Sequence, residues 1–74
     1  PMSTQTFTVS GMTCHHCVNA VTEEVSVIDG VTSVEIELVP EGISTVNVTS
    51  DHPLDVESVR SAVDEAGYEL TGSA

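Results

Sequence analysis

The residues best able to do chemistry stand in one run, Cys14-His15-His16-Cys17. Two thiolates three positions apart can converge on one ion. Soft sulfur donors select soft ions, which puts Cu(I) first and zinc as a competitor. Two sulfurs suffice for a low-coordinate Cu(I), and for Ag(I), a close chemical surrogate. Structural zinc normally takes four ligands, and the chain has no second cysteine pair. Cys14 falls at the end of a loop and Cys17 in the opening turn of an expected helix. Unpaired N–H groups and the helix dipole favour anions there, so a thiolate should form more readily than on a free cysteine. Two other readings stay open. Buried cysteines often serve as small hydrophobes. A Cys-x-x-Cys pair at a helix start also serves thiol–disulfide oxidoreductases. Against the latter, no proline separates the cysteines and the order of elements is wrong for a thioredoxin-like fold.

The elements that must position this pair are legible from apolar spacing. Thr4 to Ser10 alternates apolar and polar, a half-buried strand that Gly11 breaks. Val18, Val21, Val25 and Ile28 recur at steps of three and four, one face of a helix, with Glu23 and Glu24 off the stripe. Asp29-Gly30 is expected to end that helix, Gly30 just past its last turn. Val34, Ile36 and Leu38 alternate with Glu35 and Glu37 in a second strand. Pro40-Glu41-Gly42 is turn chemistry, and Val46 and Val48 mark a third strand, so these two form an antiparallel hairpin. Val56, Val59, Val63 and Ala66 give a second helical stripe, with Asp55 as N-cap and Gly67 as stop. Tyr68 and Leu70 finish on a short last strand. The result is an α+β, ferredoxin-like βαββαβ sandwich: a four-stranded antiparallel sheet with both helices on one face.

Composition bounds the rest. The 74 residues carry twelve Asp and Glu, one basic residue, Arg60, and no lysine, for a formal charge of −11. Nucleic acid repels such a chain, as do anionic lipids. No apolar run approaches the roughly 20 residues of a membrane span, so no membrane insertion is expected and the chain reads as soluble. The start shows no secretory signal, and two thiols so close in sequence do not staple a fold; both point to a reducing, cytoplasmic compartment. One domain over residues 1–74 is expected, with residues 1–3 disordered and Pro1, ahead of Met2, a remnant of expression. Thirteen valines against two aromatics, Phe7 and Tyr68, predict a strand-rich core of small pieces.

Gly11-Met12-Thr13-Cys14-His15-His16-Cys17 resembles the Gly-Met-Thr-Cys-x-x-Cys signature of heavy-metal-associated (HMA) domains. The likeness extends through Asp29-Gly30-Val31, Val46-x-Val48 and Glu65-Ala66-Gly67-Tyr68, across about residues 4 to 71. Free-standing members are copper chaperones of the CopZ and Atx type; similar modules form the N-terminal domains of copper-transporting P-type ATPases. The resemblance implies Cu(I) on Cys14 and Cys17, passed by ligand exchange to the Cys-x-x-Cys of such an ATPase, with no enzymatic activity. A copper-bridged homodimer is a further partner state. Met12 matches a methionine that points into the core and anchors the loop, with a thioether ligand role as the alternative. Thr13 replaces the Asp of zinc-exporting relatives and favours copper. Tyr68 matches a tyrosine beside the metal loop of bacterial chaperones. His15 and His16 depart from the small or polar residues usual there: either exposed imidazoles, or a tuner of thiolate basicity or third ligand in a bridged dimer. His52 is expected on the surface. Some eukaryotic relatives present a lysine-rich face to an acidic target, which this chain cannot do.

Overall fold

The computed structural model describes residues 2–73. Alternation in the first segment yields strand β1, Ser3–Ser10, with Phe7 and Val9 fully buried. Helix α1 spans His15–Ser26, β2 Val31–Glu37, β3 Ile43–Ser50, α2 Val56–Glu65 and β4 Glu69–Ser73. The strands form one antiparallel sheet in the order β2-β3-β1-β4, so the predicted βαββαβ sandwich is the observed one.

Register explains which face is dry. Thr4, Thr6 and Thr8 of β1 pair with Thr49, Asn47 and Thr45 of β3. Their side chains stand on the open face, where the Thr6 hydroxyl donates to Asn47 Oδ1 at 2.7 Å. The alternate residues, Phe7, Val9, Val46, Val48 and Leu70, meet Val21 and Val25 of α1 and Val59 and Val63 of α2 in one core. A period of two on the strands and of 3.6 on the helices is what allows this single shared layer. Two serines share the dry side of β3 and are satisfied locally. Ser44 Oγ accepts from the Val39 N–H at 2.9 Å, and the Ser50 hydroxyl donates to the His52 carbonyl at 2.6 Å.

Several boundaries differ from expectation. The first strand begins at Ser3, which pairs with Ser50, so the disorder expected for residues 1–3 does not include Ser3; Pro1 lies outside the described residues. Helix α1 ends at Ser26 rather than at Asp29-Gly30. Val27 is its C-cap, and Gly30, at φ +93°, instead occupies a separate turn closed by the Val31 N–H on the Ile28 carbonyl. On α2, Val56 is exposed at the first helical position and Ala62 takes its place in the core. The first residue of a helix lies at its end rather than over the sheet, so spacing alone overstates its burial. Leu38 follows β2 rather than extending it, yet packs against the core. Asp55 is the N-cap as expected, its carboxylate accepting from the Glu57 N–H.

The closing turn of α2 positions the site. The Gly67 N–H bonds the Asp64 carbonyl at 2.9 Å and the Tyr68 N–H the Val63 carbonyl at 3.1 Å. This is a Schellman motif, with Gly67 in the left-handed conformation at φ +95°. A side chain at Gly67 would strain that conformation, and Tyr68 would lose its aim.

Candidate metal centre

β1 ends at Ser10, and Gly11 turns the chain out of the sheet at φ +95°. The Tyr68 ring lies against it: a Cβ built there would meet Tyr68 Cδ1 at 3.5 Å, an ordinary van der Waals contact, so it is the left-handed backbone and not lack of space that calls for glycine. Met12 follows, fully buried, and fixes the loop to the core as the resemblance implied. A thioether sealed among apolar side chains is not presented to an ion at the surface, so the alternative ligand role of Met12 finds no geometric support. Thr13 and Cys14 come next, and Cys14 is the N-cap of α1 with extended backbone.

The two cysteines are not equivalent. Cys14 is exposed and Cys17 is buried. Cys17 sits four residues before Val21 and eight before Val25, so it continues the buried stripe of α1. The expected stripe began at Val18, which is only half-buried; Cys17 is the better core position. The two sulfurs stand 3.7 Å apart, close enough to share one ion and well beyond the roughly 2.05 Å of a disulfide.

Cys17 also receives most of the local hydrogen bonding. The Thr13 N–H donates to its sulfur at 3.4 Å, and the Thr13 hydroxyl lies 3.8 Å away. Tyr68, half-buried beside the loop, brings its hydroxyl near enough to the same sulfur to favour the thiolate. This last contact, then the backbone of Thr13 and of Cys14, bring the Cys17 thiol down from its ordinary 9.0 to about 6, against the opposing effect of burial. Tyr68 moves the other way: its bond to Cys17, burial, and the negative charge of the two sulfurs hold its proton on. The phenol therefore remains a donor over the whole range in which Cys17 ionises. A depressed thiolate was expected from the helix start alone; the directed donors of Tyr68 and Thr13 are its main cause. Backbone donors carry no residue-type signature, which is why that part of the site is invisible in the sequence.

The sign of the resulting pH dependence follows. Cys17 ionises at lower pH folded than unfolded, so its contribution to stability is complete above about pH 9 and vanishes as pH falls to about 6. Tyr68→Phe removes the largest cause and keeps the ring on Gly11. We expect the thiolate absorbance of the apo variant to titrate with its Cys17 midpoint moved from about 6 toward 9, leaving less thiolate at pH 7. An unmoved midpoint would assign the shift to the backbone donors instead.

His15 and His16 are both exposed on the first turn of α1. Among the described residues, no group of three or more His, Cys, Asp or Glu side chains converges to hold an ion. Within one chain the histidines are therefore surface groups beside a two-sulfur site. His52, also exposed, contacts Asp51 at the far end of the sheet, where Ser50 of β3 meets Ser3.

Fold and site together define a class of protein: a small α+β domain presenting a dithiol where its first loop enters its first helix. The chain belongs to the heavy-metal-associated domain family, which matches residues 6–69. It is 35% identical over 69 residues to the copper chaperone CopZ of Staphylococcus aureus, covering 93% of this chain and 98% of that protein. It is equally similar to the copper chaperone CopZ of Bacillus subtilis, at 35% identity and coverages of 93% and 97%. In structure it resembles the Cu(I)-loaded N-terminal domain of a potential copper-translocating P-type ATPase from Bacillus subtilis. There the TM-score is 0.77 and the identity 28%, over all of this chain and 92% of the other. Both of these sequence relatives are named chaperones, not enzymes. Among the described residues no helix is long and apolar enough to cross a membrane.

Proposed function

We propose that this protein is a cytoplasmic copper chaperone that holds Cu(I) between Cys14 and Cys17 and delivers it to the metal-binding domain of a copper-transporting P-type ATPase. The observation that carries the reading is the asymmetry of the pair: two sulfurs 3.7 Å apart, one buried and poised as a thiolate, the other exposed. The chaperone names of relatives 35% identical over nearly the whole chain support the same metal. Cu(I) needs only two soft donors, and its cargo site stays open to a third.

Exchange then follows from the geometry. A partner cysteine loses its proton and its thiolate bonds the ion from the exposed, Cys14 side, giving a shared three-sulfur state. The Cys14 sulfur leaves first, taking up a proton from solvent. The bond from Cys17 breaks next, as the partner's second thiolate closes on the ion. Tyr68 and the Thr13 N–H stabilise the Cys17 thiolate left behind. No electron moves, and the only bonds exchanged are metal–sulfur and sulfur–proton bonds, so the chain catalyses no bond chemistry.

The charge specifies the partner. With −11 on each copy, a copper-bridged homodimer must overcome mutual repulsion, whereas a neutral or basic face around the partner's cysteines is attracted. Cu(I)-loaded protein mixed with such an ATPase domain should transfer its metal without losing it to a chelator of intermediate affinity. The rate should fall about tenfold or more as salt rises across the range in which both domains stay folded. Capture by the chelator would refute direct delivery. Rates indifferent to salt would place docking on apolar contact and the shared metal. The likeness to an ATPase N-terminal domain supports one alternative, that this domain receives copper as part of a transporter.

A further inference from the structure

We propose that the fold of this domain is conditional on ionic strength: without metal, its stability depends on salt screening its own carboxylates. Eleven of the twelve acidic residues are exposed and the twelfth, Glu24, is half-buried. They are almost uncompensated. The ion pairs formed among the described residues are Arg60 with Glu57, at 3.2 Å, and His52 with Asp51, and the histidine counts only if protonated. No lysine is available to add another.

Length scales decide how far this repulsion reaches. The domain measures 35 × 20 × 19 Å. At 0.01 M salt the Debye length is about 30 Å, so each carboxylate acts on nearly every other. At 1 M it is about 3 Å, shorter than the roughly 7 Å between Glu35 and Glu37, two residues apart on the same face of β2. Adjacent pairs such as Glu23 with Glu24 and Asp64 with Glu65 add close repulsions. An unfolded chain spreads the same charges over a larger volume, so low salt favours unfolding.

The opposing side is thin. The core holds one phenylalanine, one methionine and mostly valines, and two of its inward strand positions on β3 are serines. A chain of this length buries only about 60–70% of the surface its unfolded form exposes, less than larger domains do, and its stability margin is correspondingly small. Fold and docking thus respond to salt in opposite directions, and the fold can be tested on this chain alone, whatever its cargo.

The test is a thermal melt of the reduced, metal-free protein at 0.01 M and 1 M NaCl, beside a variant carrying Glu23, Glu24, Glu35, Glu37 and Glu41 all changed to Gln. None of the five contacts the cysteines, and the changes bring the formal charge from −11 to −6. The natural chain should melt about 15 °C or more higher at 1 M than at 0.01 M. The variant should be the more stable of the two at 0.01 M and lose at least half of that salt response. A natural chain whose melting does not move with salt would overturn the proposal. An equal salt response in both proteins would also overturn it, because it would mean salt acts by exclusion from the surface rather than by screening.

Discussion

Cys14→Ser should abolish Cu(I) binding while leaving the fold intact, and Cys17→Ser should abolish binding and weaken the fold as well. Both remove one of two sulfurs from a site on which no third His, Cys, Asp or Glu among the described residues converges. A hydroxyl is a hard, poorly ionised replacement for a soft thiolate. The loss of affinity should exceed the about 10–100-fold that removing an outer hydrogen-bond partner of a metal ligand brings, which is the range in which Tyr68→Phe belongs. The two variants separate in stability. Cys14 is an exposed N-cap whose side chain caps nothing, so serine there is neutral or slightly favourable. Cys17 is 7% exposed and continues the core stripe of α1, so serine there puts a hydroxyl beside Val21 and the Met12 loop. Chelator competition and a thermal melt on each variant read the two effects apart. Retained Cu(I) affinity in Cys14→Ser would refute the dithiol site.

Met12→Ala should be the most damaging substitution near the metal loop that touches no ligand. The side chain is fully buried between loop and core, and truncating such a methionine costs about 2–5 kcal/mol. For a domain of this size that lowers the melting temperature by on the order of 10–40 °C. Met12→Leu keeps the volume and should cost less than about 1.5 kcal/mol. Its Cu(I) affinity should equal that of the natural chain, because the thioether faces the core and not the ion. Weaker Cu(I) binding by the leucine variant at unchanged stability would restore Met12 as a ligand.

The architecture was legible because its periodicities are clean. Thr-Phe-Thr-Val in β1 and Thr-Val-Asn-Val-Thr in β3 alternate without interruption, and the register sets every one of those threonines and the asparagine on the open face. Helix ends were harder. Gly30 has the left-handed conformation expected of a helix stop, but it serves a turn four residues past Ser26. Gly67, by contrast, closes a full Schellman motif, since Tyr68 supplies the apolar body that such a cap packs inward. Spacing alone puts Val56 in the core because a stripe takes no account of where the helix begins, and it does not mark Ala62, whose small side chain gives a weak signal. At the site, Cys14, Cys17 and Tyr68 could be named from residue types and from the family resemblance. The inequality of the two sulfurs could not. It depends on which cysteine falls in phase with Val21 and Val25, and on a backbone N–H that no side chain announces.

Competition of the reduced protein against a Cu(I) chelator, run in parallel with zinc, tests the central claim most directly. A two-sulfur site with one buried, stabilised thiolate, on which no third His, Cys, Asp or Glu among the described residues converges, should take Cu(I) in preference to zinc at their respective free-ion levels, with both cysteines consumed at one ion per chain. Zinc binding tighter than Cu(I) on that scale would contradict the assignment of copper as the cargo.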